Sequence, residues 1–158
     1  MNSLFSRAAV AGLLMGASRL ASAADALKSQ EPPKEAKVFI VSPADGATVD
    51  KTFTVKFGIE GIALKPAGDH TPHSGHHHLL VDVDKEPVAD MPLPTSLMPE
   101  SGVALPDGPQ VLHFGKAQTE TTITLTPGKH TLQLILGDQY HVPFKPSVVS
   151  QKITVDVK

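Results

Sequence analysis

Histidine is the residue type in this sequence with the greatest capacity for chemistry, and it is unevenly distributed. Five of the eight histidines lie within nine residues, in the segment DHTPHSGHHHLLVDVD (residues 69–84). Neutral imidazole nitrogens are good ligands for Cu(II) and Zn(II), so the segment indicates a metal site. The sequence contains no cysteine. Thiolate catalysis, blue-copper sites, iron–sulfur clusters and cysteine-type zinc sites are therefore excluded, and any metal must be held by His, Asp, Glu or Met.

The spacing within this segment favours metal binding. His76 and His78 are two residues apart in a run whose alternation predicts a β-strand. Side chains two apart on a strand leave the same face, so both imidazoles can reach one ion. The alternative interpretation is a solvated polar cluster that binds no metal. In both cases we expect a strand with one apolar and one largely polar face.

The elements that must position these histidines are predicted to be strands. Alternating apolar and β-branched residues recur between turn signals, and no stretch has the apolar stripe of a helix. We therefore predict an all-β domain, an immunoglobulin-like β-sandwich of about seven strands, with a small barrel as the alternative. A short strand is expected near residues 111–114, and a hairpin is expected over residues 121–136. His130 follows the turn of that hairpin and should pack against it.

The predicted topology brings distant histidines together. In a seven-stranded sandwich, the loops before the third, fifth and seventh strands lie at the same end. The predicted metal ligands, which come from these three places, are His76, His78, His113 and His141. The residues expected to surround and support them are Asp138, Glu120 and His77. One alternative stays open: Asp138 shares the inward face of its strand, so His77 rather than its two neighbours would face it. Met91 and Met98 are interpreted as packing residues.

The first 23 residues have the form of a cleavable signal peptide. Arg7 precedes the apolar run at 8–17, which is about half the length needed to span a bilayer. The triplet Ala21-Ser22-Ala23 has the small-residue pattern that signal peptidase accepts. Residues 24–36 contain charges and two prolines without an apolar period, which is typical of a flexible tether. We expect a signal peptide at 1–23, a tether at 24–36 and one domain at 37–158, in a periplasmic or secreted protein.

The charge of the chain limits its partners. Residues 1–23 carry two arginines and no acidic residue, so their removal changes the formal charge from −2 to −4. No basic stripe then remains for a nucleic acid or an anionic membrane. The expected partner is a metal ion, no membrane insertion is expected after signal removal, and no protein partner is indicated.

Three function classes are compatible with these residues. The first is a periplasmic metal-binding protein, with Cu(II) preferred because an imidazole-rich, thiolate-free site favours copper by intrinsic affinity, and with Zn(II) second. The alternative is an immunoglobulin-like interaction or adhesion module of the cell envelope. The third is a metal-dependent hydrolase with an open coordination position and Glu120 as base. The nucleophile motif G-x-S-x-G is absent from the sequence, and binding is favoured over catalysis.

Several segments carry a resemblance to a known family. They are GHHHLLVD (75–82), HFGKAQTE (113–120), PGKHTLQLILGD (127–138), HVP (141–143) and VVSQKITV (148–155). Together they resemble a bacterial exported family known as domain of unknown function 4399, over most of residues 37–158. The resemblance supplies no established activity. The motif positions that it implies are His76, His77, His78, His113, Gln118, Glu120, His130, Asp138 and His141.

The exported protein is expected to begin at Ala24, because Ala21-Ser22-Ala23 is the best small-residue site after the apolar run. N-terminal sequencing of the protein recovered from the periplasm or the medium checks this expectation. A product that still begins at Met1 and stays in the membrane fraction would contradict it.

Overall fold

The computed structural model of the protein describes residues 28–84 and 110–158, and these residues form nine strands and no helix. The all-β prediction is confirmed. Within the described ranges, accordingly, no helix has the length and apolarity that crossing a membrane requires. The predicted signal peptide, the start of the tether, Met91 and Met98 lie outside these ranges. The strands are β1 (Lys37–Ser42), β2 (Thr48–Val49), β3 (Thr52–Glu60), β4 (Ala63–Leu64), β5 (Ser74–Val81), β6 (Gln110–His113), β7 (Glu120–Thr124), β8 (Gly128–Gly137) and β9 (Ile153–Val157).

The strands are arranged in two sheets. The smaller sheet has the order β1-β3-β7, and the larger has the order β2-β9-β8-β5-β4, with β6 also pairing with β5. Strand β5 is therefore central, with β8 along one edge and with β4 and β6 along the other. The two-sheet arrangement is that of a β-sandwich, and the immunoglobulin-like relationship stays a prediction.

The main core lies between the two sheets because the alternation of each strand selects one face. On β3, Val55 and Phe57 are buried while the intervening Lys56 is exposed. On β8, the corresponding inward residues are Leu132 and Leu134, both fully buried. These side chains belong to one apolar cluster that takes residues from both sheets. Burial of this kind stabilises the domain by roughly 1.5–3 kcal/mol for each large apolar side chain.

The predicted hairpin over residues 121–136 is wrong, although both of its strands exist. Strand β7 pairs with β3 in the smaller sheet, whereas β8 pairs with β5 and β9 in the larger one. The connection at Thr126-Pro127-Gly128 therefore passes from one sheet to the other, with Gly128 at a φ of 132°. Alternation and turn residues predict strands and a chain reversal, but the partner of each strand is decided by contacts distant in sequence.

Strand β5 also differs from its prediction, because both of its faces are buried. All eight residues from Ser74 to Val81 are buried. The inward face carries Leu79 and Val81 into the main core. On the opposite face, Leu80 packs with Ile135 of β8 in a second, smaller apolar cluster. The face that was expected to be polar is thus removed from water.

The chain turns tightly after β8. The backbone N–H of Asp138 donates to the carbonyl of Val142 (2.9 Å), and the N–H of His141 donates to the carbonyl of Asp138 (2.9 Å). After this turn the chain returns along the edge of β8, where Val149 forms an isolated bridge with Ile135. The turn, residues 138–142, therefore lies at the end of β8, beside the start of β5.

The N-terminal segment is attached to this turn. The side chain of Gln30 donates from Nε2 to Oδ2 of Asp138 (3.0 Å). The backbone N–H of Lys145 donates to the carbonyl of Gln30 (2.9 Å). The described part of the predicted tether (residues 24–36), from residue 28, contacts the domain through these bonds, and the domain boundaries stay a prediction.

A second turn is held by His130, as predicted. Its Nε2 lies 2.9 Å from the carbonyl oxygen of Thr126, on the turn itself. Its Nδ1 lies 2.7 Å from Oδ2 of Asp82, at the end of β5. The other oxygen of Asp82 accepts the backbone N–H of Thr131 (2.8 Å). Asp82 thus joins the end of β5 to the start of β8, with its backbone at a φ of 55°.

Replacement of Asp82 by alanine is expected to lower the free energy of unfolding by about 2 kcal/mol, because it removes the charged partner of His130 and the acceptor for Thr131. Asp82→Asn is the matched control, since asparagine tolerates a positive φ and retains an acceptor oxygen, and its loss should be below about 1 kcal/mol. Urea unfolding measures both variants. Equal stability of the alanine variant and the unmodified protein would contradict this role.

Candidate metal centre

Three histidine rings meet on the face of β5 that points away from the main core. His76 and His78 leave this face because they are two residues apart on one strand. His113, at the end of β6, is the direct register partner of His78. Directly opposed residues of antiparallel strands share a face, so the His113 ring joins the other two. One ligand nitrogen from each of these three rings lies within 4.8 Å of the others.

The fourth ring is supplied by the turn after β8. His141 stands at a φ of 67° within that turn, and its Nε2 lies 3.1 Å from Nε2 of His113. The centroid of its ring is 5.0 Å from that of His76 and 5.9 Å from that of His78. The structure thus brings together all four sequence-predicted ligands, which we call the four-histidine cluster: His76, His78, His113 and His141.

Two glycines leave the space that these rings occupy. A Cβ atom at Gly137 would lie 2.9 Å from Cε1 of His78, and a Cβ atom at Gly115 would lie 2.4 Å from Cε1 of His113. Both distances are too short for real side chains, so each ring depends on glycine at the facing position. Sequence reasoning missed these residues. The sequence did contain a signal for these positions, because Gly115 lies two residues after His113 and Gly137 lies directly before Asp138.

The inner half of the cluster is fully desolvated. His76 and His78 are 0% exposed, whereas His113 and His141 are partly exposed. Among the residues that the structure describes, neither ring nitrogen of His76 or His78 has a hydrogen-bond partner. Most buried polar atoms in proteins do have a partner, so four nitrogens without one are unusual.

The same burial keeps the rings uncharged. Burial, together with repulsion from charge on the neighbouring histidines, lowers the pKa of His76 to about 3. Burial also lowers the pKa of His78 well below its ordinary value. For His113, burial and the proximity of His141 lower the pKa. The nitrogen lone pairs of the buried rings are therefore free of protons at neutral pH, which is the form that binds metal.

The three predicted supporting residues are placed very differently. Asp138 is 1% exposed and forms the turn that carries His141: its Oδ1 accepts the backbone N–H groups of Tyr140 (2.8 Å) and Val142 (3.0 Å). Glu120, in contrast, is exposed on β7 and is the register partner of Lys56. It belongs to the smaller sheet, across the main core from the four-histidine cluster.

His77 points into the main core, away from its two neighbours on β5. Its ring centroid is 5.3 Å from that of Phe57, and the ring is 0% exposed. Burial lowers the pKa of His77 to about 4. Within the described ranges its ring nitrogens also have no hydrogen-bond partner. His77 thus lies in the main core, on the opposite face of β5 from the cluster. The alternative that it faces Asp138 concerned the side chain of Asp138, whose hydrogen-bond partners include Gln30 and a backbone group of its own turn.

The remaining histidines lie outside the cluster. His70 and His73 are exposed, and the ring of His70 meets the ring of Tyr140 edge to face at a centroid distance of 5.8 Å. The backbone N–H of Ala67 donates to the carbonyl of Gly115 (2.9 Å), and that of Gly68 donates to the carbonyl of Gln139 (3.1 Å). The loop before β5 therefore borders the more exposed side of the cluster.

The arrangement is suited to a small cation held by nitrogen ligands. Two nitrogens bound to one ion at 2.0–2.1 Å lie about 3.3 Å apart in a tetrahedral site and closer in a square one. The 3.1 Å between the Nε2 atoms of His113 and His141 is in this range. The ligand nitrogens of His76, His78 and His113, which lie within 4.8 Å of one another, would have to come closer together for one ion to bind all of them. Three or four imidazoles are a complete ligand set for Zn(II) or Cu(II).

These features define an all-β domain of two sheets with a buried cluster of histidines on the outer face of the larger sheet. The chain belongs to the family described as Domain of unknown function (DUF4399), whose profile matches residues 55–158. The family resemblance seen in the sequence is confirmed, and the match includes the whole four-histidine cluster. Searches of curated proteins and of solved structures give no match.

The metal-free protein is expected to lose stability steeply as the pH falls below about 6. The pKa values of about 3 for His76 and about 4 for His77 lie below the ordinary 6.5. Between pH 6.5 and pH 4 the unfolded chain takes up protons on these histidines that the folded chain does not. The free energy of unfolding that is present above pH 6.5 is therefore lost as the pH falls toward 4. In this range each such histidine lowers the free energy of unfolding by up to about 1.4 kcal/mol per pH unit.

Replacement of His77 by leucine should remove one of the groups that take up a proton only in the unfolded chain. It leaves the four-histidine cluster unchanged. The variant is expected to be more stable than the unmodified protein at pH 5 and to show a smaller loss between pH 7 and pH 5. His70→Leu, on the exposed loop, is the control and should leave the slope unchanged. Urea unfolding at several pH values tests this, and identical slopes for all three proteins would contradict it.

Proposed function

We propose that this protein is an exported metal-binding protein that holds a divalent ion, Cu(II) in the first place, in the four-histidine cluster. The observation that carries the proposal is the set of buried, uncharged ring nitrogens of His76 and His78 that lack partners among the described residues. Such atoms destabilise the fold by roughly 1–3 kcal/mol each unless something binds them. A metal ion would use one nitrogen of each ring.

The ligand chemistry supports copper over other ions. The ligands are all imidazoles, and the intrinsic affinity of such sites for divalent ions is highest for Cu(II). Zn(II) is the second choice, because it accepts four imidazoles in a tetrahedral arrangement. The signal-peptide pattern of residues 1–23 supports export to an oxidising compartment, in which Cu(II) is the stable form of copper.

The geometry supports binding rather than hydrolysis. A hydrolytic metal site needs an open coordination position and a base that can activate the bound water. Glu120, the base considered for this role, is exposed on the smaller sheet. The position that a water would take is occupied in this proposal by the ring of His141, whose Nε2 lies 3.1 Å from that of His113.

Isothermal titration of the metal-free protein with Cu(II) should give one site per chain, tighter than micromolar, with weaker binding of Zn(II). His113→Asn should weaken binding by about 100-fold or more, because it removes one of the ligands. Since His113 is only partly buried, the variant should keep its fold. Circular dichroism of the variant checks the fold.

His70→Asn is the matched control for this titration, since His70 is an exposed histidine on the loop beside the cluster. Its affinity for Cu(II) should equal that of the unmodified protein. The proposal fails if the unmodified protein has no stoichiometric site, or if the substitutions at 70 and 113 have equal effects.

A further inference from the structure

We propose that the buried carboxylate of Asp138 is the counter-charge for the ion in the four-histidine cluster, so that the site favours a dication over a monocation. The proposal rests on the metal binding proposed above and adds a charge preference to it. For copper, it means that Cu(II) is held in preference to Cu(I).

The hydrogen bonds of the Asp138 side chain are those that an ionised carboxylate can accept. Oδ1 accepts the backbone N–H groups of Tyr140 (2.8 Å) and Val142 (3.0 Å), and Oδ2 accepts Nε2 of Gln30 (3.0 Å). All three partners are donors, and an ionised carboxylate is a side chain that only accepts. All three are also neutral, so they solvate the charge without balancing it.

Within the described ranges, Asp138 takes part in neither of the ion pairs Lys37–Glu60 and His130–Asp82. At 1% exposure the carboxylate is also removed from the water that would otherwise solvate it. Buried charges in proteins are normally paired with an opposite charge or coordinate a metal. An unbalanced carboxylate therefore points to a cation that binds nearby.

The four-histidine cluster is the place where such a cation would be bound. Asp138 directly follows Gly137, which is the register partner of His76 and closely approaches the ring of His78. The carbonyl of Asp138 also accepts the N–H of His141 (2.9 Å). Imidazole binds a metal as a neutral ligand, so the full charge of a bound ion would be left for its surroundings to balance. In a desolvated setting, a dication is attracted to the carboxylate twice as strongly as a monocation.

A purely structural role of Asp138 is the competing explanation, because the same carboxylate holds the turn. Asp138→Asn separates the two roles. The amide oxygen of asparagine can still accept from Tyr140 and Val142, and Gln30 can turn its own amide to meet the new N–H₂ group. The turn is thus retained while the charge is lost.

The test is the reduction potential of the copper-loaded protein, measured by redox titration. Asp138→Asn should weaken Cu(II) relative to Cu(I) by at least about ten-fold, which raises the one-electron potential by about 59 mV or more. Gln30→Ala is the matched control: it removes a hydrogen bond from the same carboxylate but keeps the charge, so the potential should stay unchanged.

A second variant keeps the test decisive if Asp138→Asn does not fold. Gln30→Lys places a cation against the carboxylate from the partly exposed N-terminal segment, and it should raise the potential in the same direction. An unchanged potential in Asp138→Asn or Gln30→Lys, whichever of the two folds, or an equal rise in Gln30→Ala, overturns the counter-charge role alone. A failure of the unmodified protein to bind copper overturns the proposed function together with this inference, and the titration above detects it separately.

Discussion

The alternation of side chains along β5 sets three consecutive histidines into two different buried environments. His77 enters the main core beside Phe57, whereas His76 and His78 lie on the opposite face. Because both faces of the strand are buried, none of these rings can use bulk water to satisfy its nitrogens. Desolvation keeps the rings neutral and leaves their lone pairs without protons. The expected acid sensitivity of the fold and the proposed binding of a metal thus have one physical cause.

The other half of the cluster depends on backbone geometry. His113 is placed by the register between β5 and β6, and His141 is placed by a turn of five residues that Asp138 holds together. Glycines at 115 and 137 allow these rings to approach the backbone closely. Each ring is therefore fixed by a strand or by a hydrogen-bonded turn. Ligands that are positioned in this way lose little conformational freedom when an ion binds.

The all-β class and the strands around the site could be predicted from the sequence, because alternation with a period of two is encoded locally. The convergence of His113 and His141 on β5 was also predictable, since loops at one end of a two-sheet fold meet. The pairing of β7 with β3 could not be predicted, because the residues of a strand do not specify which other strand it pairs with. The burial of His76 and His78 could not be predicted either, since it depends on β6 and on the turn after β8. For the same reason, the exposure of Glu120 on the smaller sheet follows from strand pairing.

The contact between Gln30 and Asp138 attaches the segment before the first strand to the turn beside the four-histidine cluster. Composition alone would begin the domain at residue 37, where the first strand starts. A chain trimmed to that residue would retain both sheets and all four rings, yet Asp138 would lose the one side-chain donor that, among the described residues, reaches it from outside its own turn. The segment before the first strand is thus connected to the turn that carries His141, and hydrogen bonds rather than composition decide whether such a segment acts as a linker.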